Sequence, residues 1–149
     1  MKIYLDTVGC RLNQSEIESY ARQFRAAGHA LVSTPDQADL VVLNTCAVTE
    51  AAVSDSRQKA RQAARAGAKQ VVLTGCWTTL APAEAQSLAN VVQVIPNELK
   101  DRLVAEVLQL PEEAFDREFI ERVQVPGARS RTRAFIKVQD GCDNRCAFC

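Results

Sequence analysis

The 149-residue chain has no formal net charge, because 18 Lys and Arg residues balance 18 Asp and Glu residues, and 47% of its residues are hydrophobic. This composition is that of an ordinary soluble protein, and its overall electrostatics indicates no particular partner. No apolar run is long enough to span a membrane and the first residues form no signal segment, so we expect no membrane partner, a cytoplasmic location and no disulfides.

Three short apolar runs each end in turn residues and lead to a cysteine. The runs are residues 2–6, 40–43 and 71–73, and the cysteines that follow them are Cys10, Cys46 and Cys76. Such runs, separated by helical stretches, are typical of parallel strands covered on both faces. The sequence therefore predicts an α/β fold, an open and mostly parallel sheet with helices on both faces.

Helical spacing of apolar residues fills the intervals between these runs. Residues 13–27 predict a helix that ends at Gly28, and residues 49–66 predict a second helix with Thr49 as N-cap and Gly67 at its end. A third helix is expected after Pro82.

Two further elements complete the predicted domain. Residues 91–95 read as another buried strand, and Asn97 is predicted to cap a helix whose apolar face is Leu99, Leu103, Val107 and Leu110. Residues 1–110 then form one domain, residues 111–132 read as a charged linker, and residues 133–139 alternate like a strand that leads directly into the last three cysteines of the chain.

Local charge and the single histidine indicate little about function. After Pro126, five basic residues face two acidic ones, which makes a basic tail. Arg57, Arg61 and Arg65 lie four apart on the second predicted helix; such a stripe can touch phosphate but is more often a solvated face. His29, between a helix end and an apolar run, is interpreted as structural.

The last eight residues hold three cysteines in a C-x3-C-x2-C array, Cys142, Cys146 and Cys149. Three thiolates can bind three irons of a four-iron four-sulfur (4Fe–4S) cluster and leave the fourth iron open to a small molecule. Zinc is the weaker interpretation, since zinc sites normally collect four N or S ligands and no histidine or fourth cysteine is near. Unpaired thiols are the remaining alternative.

The other three cysteines can form a second site of the same kind. The carboxyl ends of parallel strands share one edge of the sheet, where ligands bind in open α/β folds, so Cys10, Cys46 and Cys76 can converge on a second cluster. Each of them taken singly is more easily explained as a small buried hydrophobe. Their repetition at equivalent positions favours a metal site.

The C-terminal array, with Phe148 before its last cysteine, resembles the signature of radical S-adenosylmethionine enzymes. In those enzymes the open iron binds S-adenosylmethionine, and an electron from the cluster cleaves it to a deoxyadenosyl radical. The resemblance implies this role for Cys142, Cys146 and Cys149, and implies that residues 133–149 are the first strand and cluster loop of a truncated barrel.

With both cysteine sets, the whole chain resembles the methylthiotransferases, which insert a methylthio group into a carbon–hydrogen bond. The matching motifs are residues 7–16, 44–49 and 74–76. The resemblance implies two 4Fe–4S clusters: an auxiliary cluster on Cys10, Cys46 and Cys76, and the radical cluster. It implies that Asn13 and Glu16 shape the first loop. Trp77, beside Cys76, is expected either to shield a cluster or only to pack.

The first two motifs are most similar to the branch that acts on threonylcarbamoyladenosine in tRNA; the sibling branches act on isopentenyladenosine in tRNA or on a ribosomal protein. The resemblance implies tRNA, an electron donor protein and a sulfur donor as partners. Such enzymes continue through a barrel and an RNA-binding domain, so we expect this chain to be an N-terminal portion, inactive alone. The alternatives are a noncatalytic iron–sulfur or sulfur-carrier module and a zinc-binding interaction domain.

Overall fold

A computed structural model describes residues 1–111 of the chain. Their five strands form one parallel sheet in the order β2-β1-β3-β4-β5. The strands are β1 (Lys2–Thr7), β2 (Ala30–Leu31), β3 (Leu40–Thr45), β4 (Gln70–Gly75) and β5 (Val91–Ile95). The predicted α/β fold with a parallel sheet is confirmed. The predicted linker beyond Pro111, the barrel strand and the cluster loop lie outside the described residues.

Five α-helices lie within this part of the chain, four of them between strands and the last after β5. They are α1 (Arg11–Ala26), α2 (Glu50–Arg65), α3 (Cys76–Leu80), α4 (Pro82–Gln86) and α5 (Leu103–Leu108), with 3-10 turns at Pro35–Gln37 and Asn97–Arg102. Among these helices none is long and apolar enough to cross a membrane.

The sheet is covered on both faces because its strand residues alternate between two cores. On one face, α1 and α5 pack against β1, β3, β4 and β5, and Phe24 is fully buried in this layer. On the other face, α2, α3 and α4 pack against β3 and β4, with Trp77 in that layer. Burying a large apolar side chain of this kind contributes about 1.5–3 kcal/mol, so the two layers fix the register of the sheet.

Most predicted helix boundaries are confirmed within a residue or two. Helix α1 ends before Gly28, and α4 begins at Pro82. Helix α2 has Thr49 as its N-cap, whose hydroxyl accepts a hydrogen bond of 3.1 Å from the backbone N–H of Ala52.

Two expectations for the helices are wrong. The residues expected to form a turn before Cys76, Thr74 and Gly75, are the end of β4, and helix α3 begins directly at Cys76. The chain from Asn97 to Arg102 is a 3-10 turn whose capping residue is Pro96, so Asn97 does not cap a helix. Its side chain contacts Cys76 instead, and a tertiary contact has replaced the local cap.

His29 is partly buried, and its interpretation as a structural residue agrees with its surroundings. Its Nδ1 lies 3.3 Å from the N-terminal amino group, and its ring meets Phe24 edge-on at 6.3 Å between centroids. Partial burial and the neighbouring amino-terminal charge lower the pKa of His29.

Candidate metal centre

The three N-terminal cysteines follow three adjacent strands of the sheet. Strand β3 lies between β1 and β4, with Thr7 paired to Asn44 and Thr45 paired to Gly75. The chain therefore delivers Cys10, Cys46 and Cys76 to one edge, at the carboxyl ends of the strands. The prediction that they share an edge is confirmed.

The three thiols differ in exposure, and none of them forms a disulfide. Cys10, the N-cap of α1, is exposed; Cys46, in the loop after β3, is 3% exposed; and Cys76, the first residue of α3, is half-buried. The site thus reaches from the protein interior at Cys46 to the surface at Cys10.

Gly9 allows the first cysteine loop to lie directly on Cys46. Its φ angle is +95°, and a Cβ built on it would lie 2.5 Å from both Cβ and Sγ of Cys46. Only a residue without a side chain fits at this distance. The two loops are consequently in contact beside the buried thiol.

Gly75 plays the same part at the second pair of loops. Its φ angle is +100°, and a Cβ on it would lie 2.6 Å from the side-chain oxygen of Asn44 and 2.7 Å from the backbone N of Thr45. The end of β4 therefore approaches the end of β3 too closely for any side chain, and Cys76 follows immediately.

We expect Gly75→Ala to lower the free energy of unfolding by about 2–6 kcal/mol, because a strained backbone and a steric clash are added at one position. Urea denaturation measures this. Gly67→Ala is the matched control, since Gly67 has a φ of +93° with nothing within 4 Å of a built Cβ. Gly67→Ala should lower the free energy of unfolding by only about 1–2 kcal/mol. Equal losses of stability in the two variants would contradict the close approach at Gly75.

Asn13 ties the Cys10 loop to the Cys46 loop. It is 3% exposed, and its side-chain Nδ2 donates to the carbonyl of Val8 at 2.8 Å and to the carbonyl of Thr45 at 3.1 Å. The thiol of Cys10 donates to its Oδ1 at 3.5 Å. The expectation that Asn13 shapes the first loop agrees with these contacts.

A buried ion pair lies under the same loop. The Glu16 carboxylate accepts a hydrogen bond of 2.8 Å from Asn44 Nδ2 and lies 3.0 Å from the Lys100 ammonium. The side chains of Glu16 and Lys100 are 5% and 10% exposed. A buried carboxylate needs such partners, so this pair joins α1 and β3 to the turn after β5.

The loop of Cys46 is fixed through its backbone. The Cys46 N–H donates to the Ser56 hydroxyl at 3.2 Å, and that hydroxyl also lies 3.3 Å from the Cys46 carbonyl and 2.7 Å from the Ala52 carbonyl. Helix α2 thus sets the position of Cys46. The hydroxyl of Thr45 donates to the Thr74 carbonyl at 2.6 Å and ties β3 to β4.

Cys76 has a side-chain donor of its own. The Asn97 Nδ2 lies 3.9 Å from the Cys76 Sγ, within hydrogen-bonding reach of sulfur. The Thr79 hydroxyl accepts from the Asn97 backbone N–H at 3.0 Å and donates to the Gly75 carbonyl at 2.9 Å. One hydroxyl therefore holds Asn97 beside the residue that precedes Cys76.

Trp77 packs in the core of the second face and is 2% exposed. The Arg57 guanidinium lies over its ring, 5.8 Å from the ring centroid. Arg57 also pairs with Glu84 at 2.6 Å. The arginine stripe is thus only partly a solvated face, because Arg61 and Arg65 are exposed while Arg57 is half-buried and paired. The packing alternative for Trp77 agrees with these contacts.

Three cysteine thiols are the donor set that this edge of the sheet offers to a metal group. Within residues 1–111, no three His, Cys, Asp or Glu side chains are grouped closely enough to share one metal ion. A 4Fe–4S cluster uses a separate iron for each thiolate, so its ligands do not share an ion. Three unpaired thiols at one edge, with an N–H donor at one of them, fit this group chemically. Cys142, Cys146 and Cys149 lie outside the described residues.

Sequence reasoning missed three residues of the site: Asn44, Lys100 and Asn97. Asn44 stood in the second motif as a turn residue, and it is fully buried at the end of β3. A polar residue at the end of an apolar strand was the available signal. Lys100 gave no such signal, since a lysine in a charged stretch reads as exposed.

Comparison with known proteins places the chain in a family. Residues 2–96 match the profile of the uncharacterized protein family UPF0004. The chain belongs to this family. The match includes all three strand-end cysteines and excludes the C-terminal array.

Curated relatives extend the similarity to the whole chain. A threonylcarbamoyladenosine tRNA methylthiotransferase of Bacillus subtilis is 33% identical, over 96% of this chain and 34% of its own length. Its counterpart from Aquifex aeolicus is 35% identical, over 100% of this chain and 39% of its own length. A ribosomal protein uS12 methylthiotransferase of an Anaeromyxobacter strain is 30% identical, over 99% of this chain and 34% of its own length. The predicted resemblance to the methylthiotransferases is confirmed. The chain spans between about a third and two fifths of these relatives.

Proposed function

We propose that the chain is the N-terminal part of a radical S-adenosylmethionine methylthiotransferase that modifies threonylcarbamoyladenosine in tRNA. The observation that carries the proposal is the delivery of Cys10, Cys46 and Cys76 to one edge by three adjacent parallel strands. The identities to two tRNA methylthiotransferases support the substrate class.

In this proposal the three strand-end thiolates bind an auxiliary 4Fe–4S cluster. When bound, the cluster supplies an iron without a protein ligand, at which sulfur can be held. The protein's own contribution is positional: Gly9 and Gly75 permit the close approach of the loops, and Asn13 and Ser56 fix two of them.

Cys142, Cys146 and Cys149 are proposed to bind the radical cluster together with S-adenosylmethionine. An electron donor protein and a sulfur donor are the further partners of this chemistry, and tRNA is the substrate. The cytoplasm is the proposed location, because a reducing compartment keeps the thiols free.

Nucleoside mass spectrometry tests the substrate. The chain, extended by its own barrel and RNA-binding domain, is expressed in a strain that lacks both tRNA methylthiotransferases and the methylthiotransferase for ribosomal protein uS12. We expect methylthiolated threonylcarbamoyladenosine in its tRNA. Methylthiolation of isopentenyladenosine, or of ribosomal protein uS12 in the same cells, would instead assign the chain to a sibling branch.

Two sets of variants in that protein separate the proposed clusters. Alanine at Cys142, Cys146 or Cys149 should abolish cleavage of S-adenosylmethionine, because the iron that binds it is lost. Alanine at Cys10, Cys46 or Cys76 should spare that cleavage and block sulfur insertion. A chain that binds iron and sulfide but supports neither reaction would favour the alternative, a noncatalytic sulfur-carrier module.

A further inference from the structure

Two of the three strand-end thiols, those of Cys10 and Cys76, have hydrogen-bonding partners of opposite kind. Cys10 faces the amide oxygen of Asn13, whose Nδ2 is already committed to two backbone carbonyls. Cys76 faces the amide nitrogen of Asn97. A cysteine that binds metal is a thiolate, which accepts hydrogen bonds and donates none. The Asn97 contact therefore suits the metal-binding form of the cysteine, and the Asn13 contact does not.

The Asn97 side chain is held in place by its own backbone. Strand β5 pairs with β4 up to the level of Thr74, and Pro96 then turns the chain toward α3. The Asn97 N–H is bonded to the Thr79 hydroxyl, which also binds the carbonyl of Gly75. The Thr79 hydroxyl thus binds the backbone of Asn97 and the backbone of Gly75, the residue before Cys76, and this places the start of the Asn97 side chain beside the sulfur.

We propose that Asn97 is a positioning residue for the auxiliary cluster, whose side-chain N–H donates to the Cys76 thiolate and raises the reduction potential of the cluster. The inference rests on the proposed function, because it takes Cys76 as a cluster ligand. Hydrogen bonds to the sulfurs are among the factors that set the potentials of iron–sulfur clusters. The reduced cluster carries one more negative charge, part of it on sulfur, and gains more from the donor than the oxidised cluster does.

The test uses the full 149-residue chain with Cys142, Cys146 and Cys149 changed to alanine, so that only the auxiliary cluster contributes to the signal. It is reconstituted with iron and sulfide and titrated with dithionite, which transfers one electron to the cluster, under electron paramagnetic resonance. At the potential where half of the parent cluster is reduced, Asn97→Leu should lower the ratio of reduced to oxidised cluster roughly three- to tenfold; tenfold is about 59 mV for one electron. Asn97→Asp should lower it further, because a carboxylate replaces the donor.

Gln86→Leu is the matched control. Gln86 is an exposed amide on α4 that donates to the Val91 carbonyl at 3.3 Å, beside the same strand. Its removal should leave the potential unchanged. A cluster that assembles with the same potential in Asn97→Leu as in the parent, or an equal shift in Gln86→Leu, overturns the role of Asn97 and leaves the ligand assignment intact. Failure of the parent chain to assemble any cluster overturns the ligand assignment and this inference together.

Discussion

Alanine at Cys10, Cys46 or Cys76 is expected to abolish assembly of the auxiliary cluster, because two remaining thiolates cannot hold three irons. The parent is the 149-residue chain in which Cys142, Cys146 and Cys149 are alanine. After anaerobic reconstitution, the parent should contain about four irons and four sulfides per chain. Each single variant should lose nearly all of both, measured by metal and sulfide analysis and by the loss of the visible absorption of the cluster.

Val48→Ala is the control for this experiment. Val48 lies two residues after Cys46 at the same edge and is 67% exposed, so its change alters the surface without touching a thiol. It should retain full iron and sulfide. Zinc bound without sulfide in the parent chain would show that the site is a zinc site, and retention of the cluster in any one cysteine variant would remove that cysteine from the ligand set.

Lys100→Met is expected to lower the free energy of unfolding by about 3–5 kcal/mol, the cost of removing one partner of a buried ion pair. The Glu16 side chain is 5% exposed and only 3.0 Å from the Lys100 ammonium. Methionine keeps much of the volume of the lysine stem and removes the charge. Urea denaturation of the metal-free chain measures the loss.

The double variant Glu16→Gln with Lys100→Met separates charge from packing. Because it removes both charges, it should recover a large part of the lost stability, since replacing a buried pair costs less than breaking it. Lys69→Met is the surface control: Lys69 is 78% exposed and 3.7 Å from Asp39, and its loss should cost about 0–1 kcal/mol. If Lys100→Met also lowered the free energy of unfolding by only about 0–1 kcal/mol, the buried pair would stabilise the fold no more than a surface pair does.

The sheet and its edge could be predicted because strand residues and helix ends carry local signals. Apolar runs closed by turn residues located β1, β3, β4 and β5, and Thr49 located the start of α2 by its capping hydroxyl. Parallel pairing then brings the strand ends to one edge whatever the intervening helices are. The shared position of Cys10, Cys46 and Cys76 followed from that topology alone.

The contacts around the cysteines could not be predicted, because they join segments far apart in the chain. Asn97 carried a strong local signal, that of a helix cap, and its side chain instead contacts Cys76, 21 residues away. Lys100 is separated from Glu16 by most of the domain and becomes buried only when the turn after β5 packs on α1. Local periodicity contains no information about either pairing.

The order of strands also determines when the cysteine site comes into being during folding. Cys10 and Cys76 flank Cys46 only after both crossovers, through α1 and through α2, have brought β1 and β4 to the two sides of β3. Parallel pairings of this kind close long loops and form slowly. The thiol triad therefore exists only once the sheet has formed, and a cluster can be delivered only to a finished scaffold. The hydrophobic layers on the two faces have to sustain that scaffold without help from iron.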